Sequence, residues 1–75
     1  MNQQQSIRKI ASPLLKLPNG HLLKQQVVEI QEGVVVNYFQ LTSELARTEW
    51  WSGLIQLKYD AEGLLRAYYE GKQIE

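Results

Sequence analysis

The stretch 54-LIQLKYDAEGLLRAYYE-70 sets two runs of alternating apolar and polar residues around a turn-forming centre. A three-residue loop, Ala61-Glu62-Gly63, predicts a type I turn closed by a glycine in the left-handed region, where an L side chain meets steric resistance. That loop places Asp60 opposite Leu64, Tyr59 opposite Leu65, Leu57 opposite Ala67 and Ile55 opposite Tyr69. Successive side chains of a strand point to opposite faces. One face therefore gathers Ile55, Leu57, Tyr59, Leu65, Ala67 and Tyr69, and the other Gln56, Lys58, Asp60, Arg66, Tyr68 and Glu70. Both strands keep this alternation in phase across the turn. The stretch predicts a hairpin with one wet face.

The same punctuation stands upstream in 27-VVEIQEGVVVNYFQL-41. Reading Gln31-Glu32-Gly33 as a second three-residue loop pairs Ile30 with Val34, Val28 with Val36 and Gln26 with Tyr38. The other face then carries Glu29 against Val35, Val27 against Asn37, Gln25 against Phe39 and Leu23 against Leu41. Both faces are largely apolar, so this pair is expected to be central and covered on each side. Pro18-Asn19-Gly20 is a further turn signal, joining a strand near residues 13–17 to one starting at His21. Residues 7–11, IRKIA, read as a short edge strand that Pro13 ends.

Between the hairpins lies 42-TSELARTEWWSG-53. Ser43 is a candidate helix cap, Glu44 suits a first turn, and Gly53 suits the position past a helix end. A short helix or an ordered loop near residues 43–52 is expected, and no long amphipathic helix anywhere. The fold class is all-β: a small antiparallel sandwich or partly open barrel of five or six strands built from hairpins. Residues 1–5 read as a flexible polar N-terminus and 6–75 as a single β domain.

Trp50 and Trp51 are adjacent, so in a strand their rings cannot share one face. Extending the inward phase of Ile55, Leu57 and Tyr59 backwards puts Trp51 on the core side and Trp50 on the other. Trp50 and Trp51, with Glu49 and Arg47 beside them, form the candidate contact surface.

Composition narrows the function. A chain of 75 residues without cysteine has neither disulfides nor thiolate metal sites. So small a domain buries only roughly 60% of its unfolded surface, leaving packing or self-association as the staple. The net charge is zero but uneven: residues 1–24 hold Arg8, Lys9, Lys16 and Lys24 and no acid, and the remainder holds four bases and eight acids. All seven aromatics lie in that acidic remainder. A base-stacking groove needs aromatic and basic residues together, so no nucleic-acid partner is expected. No apolar run approaches membrane-spanning length and no signal-like segment is seen, which predicts a cytoplasmic protein without a membrane partner.

Candidates for chemistry are sparse. His21, the only histidine, follows a turn and has no second ligand or triad partner in sight. Ser43 and Ser52 lack a glycine-elbow context. Glu49 is the one acid in an aromatic setting that could raise its pKa, and a solvated residue on a short helix is the favoured reading. The five glycines are spaced as turn punctuation rather than as a phosphate loop. No catalytic residue, cofactor or metal ligand is expected, and the chain reads as non-enzymatic.

Residues 13–36, PLLKLPNGHLLKQQVVEIQEGVVV, resemble the opening of metal-dependent amidohydrolases. There a small β-sandwich begins around an L-x-N-G turn, here Leu17-Pro18-Asn19-Gly20, and an E/D-G turn, here Glu32-Gly33-Val34-Val35. In that family the metal ligands, led by an H-x-H pair, lie in a separate barrel, and no position here matches that pair. The resemblance implies a β-module related to a non-catalytic domain. The favoured reading is a non-enzymatic β-module acting through protein contacts, as a homo-oligomer or with another protein. The alternatives are a small-ligand module, a sugar platform on Trp50 and Trp51 with Arg47, Glu49 and Ser52 as polar neighbours, and an accessory subunit of a larger enzyme.

Overall fold

The Asp60 carboxylate organises its turn: Oδ1 accepts the backbone N–H of Glu62 at 2.8 Å and of Leu64 at 2.9 Å. The Asp60 N–H donates to the Leu64 carbonyl at 2.9 Å, and Gly63, at φ +81°, donates to the Asp60 carbonyl at 3.0 Å. The expected three-residue loop therefore forms, and the register outward from it pairs Tyr59 with Leu65, Leu57 with Ala67 and Ile55 with Tyr69. Ile55, Leu57 and Ala67 are fully buried, whereas Tyr59, on the same face, ends at the rim and is 62% exposed.

The computed structural model describes residues 7–43 and 46–75. The polar terminus expected at 1–5 lies outside them. In chain order the strands are β1 (Arg8–Lys16), β2 (Leu22–Gln31), β3 (Val34–Gln40), β4 (Thr48–Trp50), β5 (Leu54–Tyr59), β6 (Leu65–Tyr69) and β7 (Lys72–Gln73). They form one sheet in the order β3-β2-β1-β5-β6-β7, with β4 also on β1. The sheet is open and coils round its own core, bringing the start of β3 to β6, where Arg66 Nη1 donates to the Gly33 carbonyl at 2.9 Å.

The described residues are all-β as expected, but they form one open sheet of seven strands rather than a sandwich of five or six. It is also mixed rather than antiparallel, because β4 and β5 both run parallel to β1. No helix occurs among the described residues. In place of the expected short helix or loop, Thr48–Trp50 pairs with Lys9–Ala11. Residues 44 and 45 of that segment lie outside the described residues. The physical reason for the strand is β1 itself. With β2 on one edge, the other edge has backbone groups to satisfy, and β4 and β5 do so in succession.

This arrangement overturns the reading of 7–11 as an edge strand ended by Pro13. β1 is continuous and central, and Pro13 sits where the ladders with β2, β4 and β5 all lapse. A residue with no N–H is tolerated where none is needed. Opposite it, Gln25 takes φ +52°. Around this facing pair both strands reverse their faces. Ile10 and Leu15 are both in the core although four residues lie between them, which strict alternation would put on opposite faces, and the same holds for Val28 and the partly buried Leu23. The β1–β2 register does not change, so nothing is inserted. The kink is stitched by two polar side chains buried at that level. Ser12 Oγ donates to the Leu14 carbonyl at 2.9 Å, and Gln26 Nε2 donates to the Lys24 carbonyl at 3.1 Å. Ser12 pairs with Gln26 and Leu14 with Lys24, so the two bonds mirror each other across the ladder.

The middle hairpin also departs from its expected register. Its loop has two residues, not three: Glu32 and Gly33 take φ +53° and +79°, and Gln31 pairs with Val34. Two left-handed residues make a type I′ turn, whose twist matches that of the strands. A shift between Glu29 and Ile30 then passes over Val36, so Val28 faces Tyr38 and Val27 faces Phe39. Ile30, which stands where Asp60 does before its Glu-Gly, has no side-chain acceptor of the kind by which Asp60 holds the longer loop open. The Glu70-Gly71 turn repeats the two-residue form, at φ +52° and +83°, and adds β7, which sequence reading missed.

The core joins Ile10, Leu15, Val28, Ile30, Val35, Ile55, Leu57, Ala67 and Ile74. Fully burying one such aliphatic side chain is worth roughly 1.5–3 kcal/mol. Val27 and Ala11, partners on the opposite face of β2 and β1, are buried as well. But β3 lies at the edge of the sheet and leaves Val36 and Tyr38 exposed, so the middle hairpin is not the central, doubly covered pair expected.

Gly33→Ala and Gly63→Ala should both destabilise, since each forces an L residue to positive φ at a cost of about 1–2 kcal/mol. At Gly63 the added methyl meets open space, but at Gly33 it would lie 3.0 Å from Arg66 Nη1. Gly33→Ala is therefore expected to lose more in urea unfolding. Equal losses in the two variants would remove the Arg66 contact from the account.

Candidate functional site

The parallel register of β4 on β1 divides the candidate contact residues between two faces. Glu49 pairs with Ile10 and shares its inward side, while Trp50 pairs with Ala11 and shares its outward side. The Trp51 N–H then donates to the Ala11 carbonyl at 2.9 Å, and the chain leaves the strand. Trp51 is half-buried against the core, with its ring edge-on to Tyr69 at 5.0 Å and 66°. Trp50 is 56% exposed. That is the orientation obtained by extending the phase of Ile55 backwards.

Arg8 is the hub of the inward group. Its Nε and Nη2 donate to the two Glu49 carboxylate oxygens at 2.7 and 3.0 Å, and its Nη1 donates to the Glu75 carbonyl at 2.7 Å. The guanidinium lies 5.3 Å from the centre of the Trp51 ring, and the Trp51 indole N–H donates to Glu49 Oε1 at 3.2 Å. The Tyr69 hydroxyl donates to the Ser52 carbonyl. A cavity of about 280 Å³ opens beside this group, lined by Arg8, Trp51, Tyr69, Lys72 and Ile74 among others.

The four candidate contact residues therefore do not form one surface. Glu49 and Trp51 turn inward to Arg8, Trp50 points out, and Arg47 is exposed in the turn before β4 at φ +57°. Sequence reading missed Arg8 and Tyr69, which lie far from Glu49 and Trp51 along the chain. The expected upward pull on the Glu49 pKa is also reversed. The hydrogen bond from Arg8 holds the carboxyl below its ordinary value; partial burial opposes this, and the Arg8 charge and Trp51 indole add to the lowering.

A carboxylate so held is ionised at neutral pH and has no proton to give as a general acid. Arg8 and Trp51 donate three hydrogen bonds to it. His21 is exposed in its turn, its backbone N–H bonded to Asn19 Oδ1 at 3.0 Å. Among the described residues no group of three or more His, Cys, Asp or Glu is placed to hold a metal ion. No helix there is long and apolar enough to cross a membrane. Chemically, the cluster is a fastening: it ties β4 and the end of the chain to β1.

The pH dependence of stability follows from it. Glu49 and Asp60 both have depressed folded pKa values, Asp60 chiefly through its bond from Arg66. A lowered folded pKa contributes stability above the unfolded value, and that stability is lost as pH falls through the folded value. The melting temperature should thus hold from neutrality downward and fall below about pH 4, the ordinary carboxylate range. Glu49→Gln should melt lower at neutral pH and show a shallower acid decline. An acid decline as steep as in the parent chain would mean the pair adds nothing.

No family model, curated protein or solved structure matches the chain.

Proposed function

We propose that this chain is a non-enzymatic protein-interaction module that self-associates through the edge strand β3. The observation that carries the reading is the character of that edge. β3 ends the sheet, and its seven residues, VVVNYFQ, include no charge and no proline. Edge strands are ordinarily guarded by charged side chains, proline or shortness, because their unpaired backbone groups template another strand. Among the described residues the guards are the bulge at Val36, which is 49% exposed, and Arg66, which reaches only the Gly33 carbonyl just before the strand. Two antiparallel copies of β3 pair without bringing like charges together, which suits a twofold dimer.

Sedimentation equilibrium tests this. The parent chain is expected at twice its 8.7 kDa mass, and Val36→Lys, which places a charge on the edge, at the monomer mass with its melting behaviour kept. A parent chain that stays monomeric across concentrations removes the reading.

The sugar-platform alternative has less support. One face of the Trp51 ring carries Arg8, and the ring meets Tyr69 at an edge-type angle, while Trp50 lines neither the cavity beside Trp51 nor the cleft at Leu54. Nothing favours an accessory subunit specifically. The amidohydrolase-like segment, residues 13–36, spans the β1–β2 hairpin and the type I′ turn, and supports only a β-module.

A further inference from the structure

The outward face below the kink gathers residues that sequence order keeps apart. Leu15, Leu23, Leu57 and Ala67 point inward, so Leu14 and Lys16 of β1, Lys24 of β2, Leu54, Gln56 and Lys58 of β5 and Tyr68 of β6 point out. Leu14 pairs with both Lys24 and Leu54, and Lys16 pairs with Gln56, two residues before Lys58. The three lysines thus run diagonally over three neighbouring strands, each step a diagonal neighbour spacing of about 7–8 Å. Among the described residues none of them has an ion pair; of the acids on this side, Asp60 is bound to Arg66, and Glu70 belongs to the turn after β6. Beside the lysines the paired Leu14 and Leu54 are each 37% exposed. A cleft of about 280 Å³ opens here, lined by Gly53, Leu54, Gln56, Tyr68 and Gly71 and also by Glu70, whose charge favours an uncharged anchor side chain in the cleft and leaves the partner's carboxylates to the lysines.

We infer that this face docks an acidic peptide segment, with an apolar side chain seated in the Leu54–Tyr68 cleft and carboxylates against Lys16, Lys24 and Lys58. Charge complementarity selects the partner, since three unpaired lysines favour a negative one and oppose a second basic face. The apolar centre selects a peptide over a nucleic acid. It is aliphatic, and the aromatic ring beside it, Tyr68, already has Lys58 Nζ at 5.1 Å from its centre, whereas strand-binding grooves stack bases on free aromatic faces. A side-chain-sized cleft suits a single anchor residue better than a lipid surface, which calls for a broad protruding apolar face. The site is distinct from the β3 edge.

Fluorescence anisotropy tests the inference with short labelled peptides in which glutamates flank one leucine or phenylalanine. The parent chain should bind them, with affinity falling as salt rises. Replacing the glutamates by glutamine, or the anchor by alanine, should weaken binding at least about tenfold, as should Lys16→Glu with Lys58→Glu in the protein. The milder Lys16→Gln with Lys58→Gln pair, checked by its melting curve, should lose affinity in the same direction. Val36→Lys should bind as the parent does, which separates this site from self-association. The inference is overturned if the parent chain ignores the acidic peptides, if charge reversal leaves their affinity unchanged, or if an oligothymidine or phosphatidylserine vesicles bind in their place.

Discussion

Leu15→Ala is expected to destabilise the protein by about 2–5 kcal/mol, whereas Leu14→Ala should cost less than about 1 kcal/mol. A domain of this length has roughly 4–11 kcal/mol of stability in all, so the first variant stands near unfolding at room temperature. The contrast is a direct test of the kink. Strict alternation from the buried Ile10 would turn Leu14 inward and Leu15 to solvent. The reversal at Pro13 and Gln25 does the opposite: Leu15 is fully buried between its partners Leu23 and Ile55. Urea unfolding of the two variants decides the matter, and a larger loss at Leu14 would mean that β1 runs without reversing its faces.

The tryptophan pair yields the second large effect. Trp51→Ala removes the ring from between Arg8 and Tyr69 and takes one donor from the Glu49 carboxylate. Full truncation of a buried aromatic costs about 3–5 kcal/mol, and a half-buried ring lies toward the lower end. Trp50→Ala, on the outward face beside Ala11, should change stability by no more than about 1 kcal/mol. Thermal melts of the two proteins should therefore differ widely. Similar midpoints would show that the two rings are not divided between inside and outside.

The last large hairpin was legible because two local devices agree there. Asp60 at the loop entry and Gly63 at its exit specify the same turn, and the flanking alternation fixes the same register. The middle hairpin offers no such agreement. Val34, Val35 and Val36 are identical, so sliding the register exchanges valine for valine and the apolar pattern does not resist it. Glu-Gly occurs in three turns, and only the one preceded by Asp two residues earlier has a three-residue loop. The reversal at Pro13 was hidden because alternation is read by counting, and the count breaks without an inserted residue. Arg8 and Glu49 were beyond sequence reading for another reason. They are 41 positions apart and meet through a parallel pairing only three residues long.

That pairing has a consequence for the order in which the protein assembles. β1, β2 and β3 are contiguous and joined by tight turns, so this meander can close while later residues are still being synthesised. Its free β1 edge must wait for β4 and β5, some forty residues downstream of the positions they pair with. Closing so long a loop is entropically expensive, and non-local parallel pairing slows folding. Until it happens, Ile10 and Leu15 lack half their neighbours and the backbone groups along β1 are bare. A nascent chain paused between residues 41 and 47 therefore exposes two unpaired strand edges at once, β1 and β3, flanking a half-made core. That window, rather than the finished molecule, is when the chain is most prone to pair with the wrong strand.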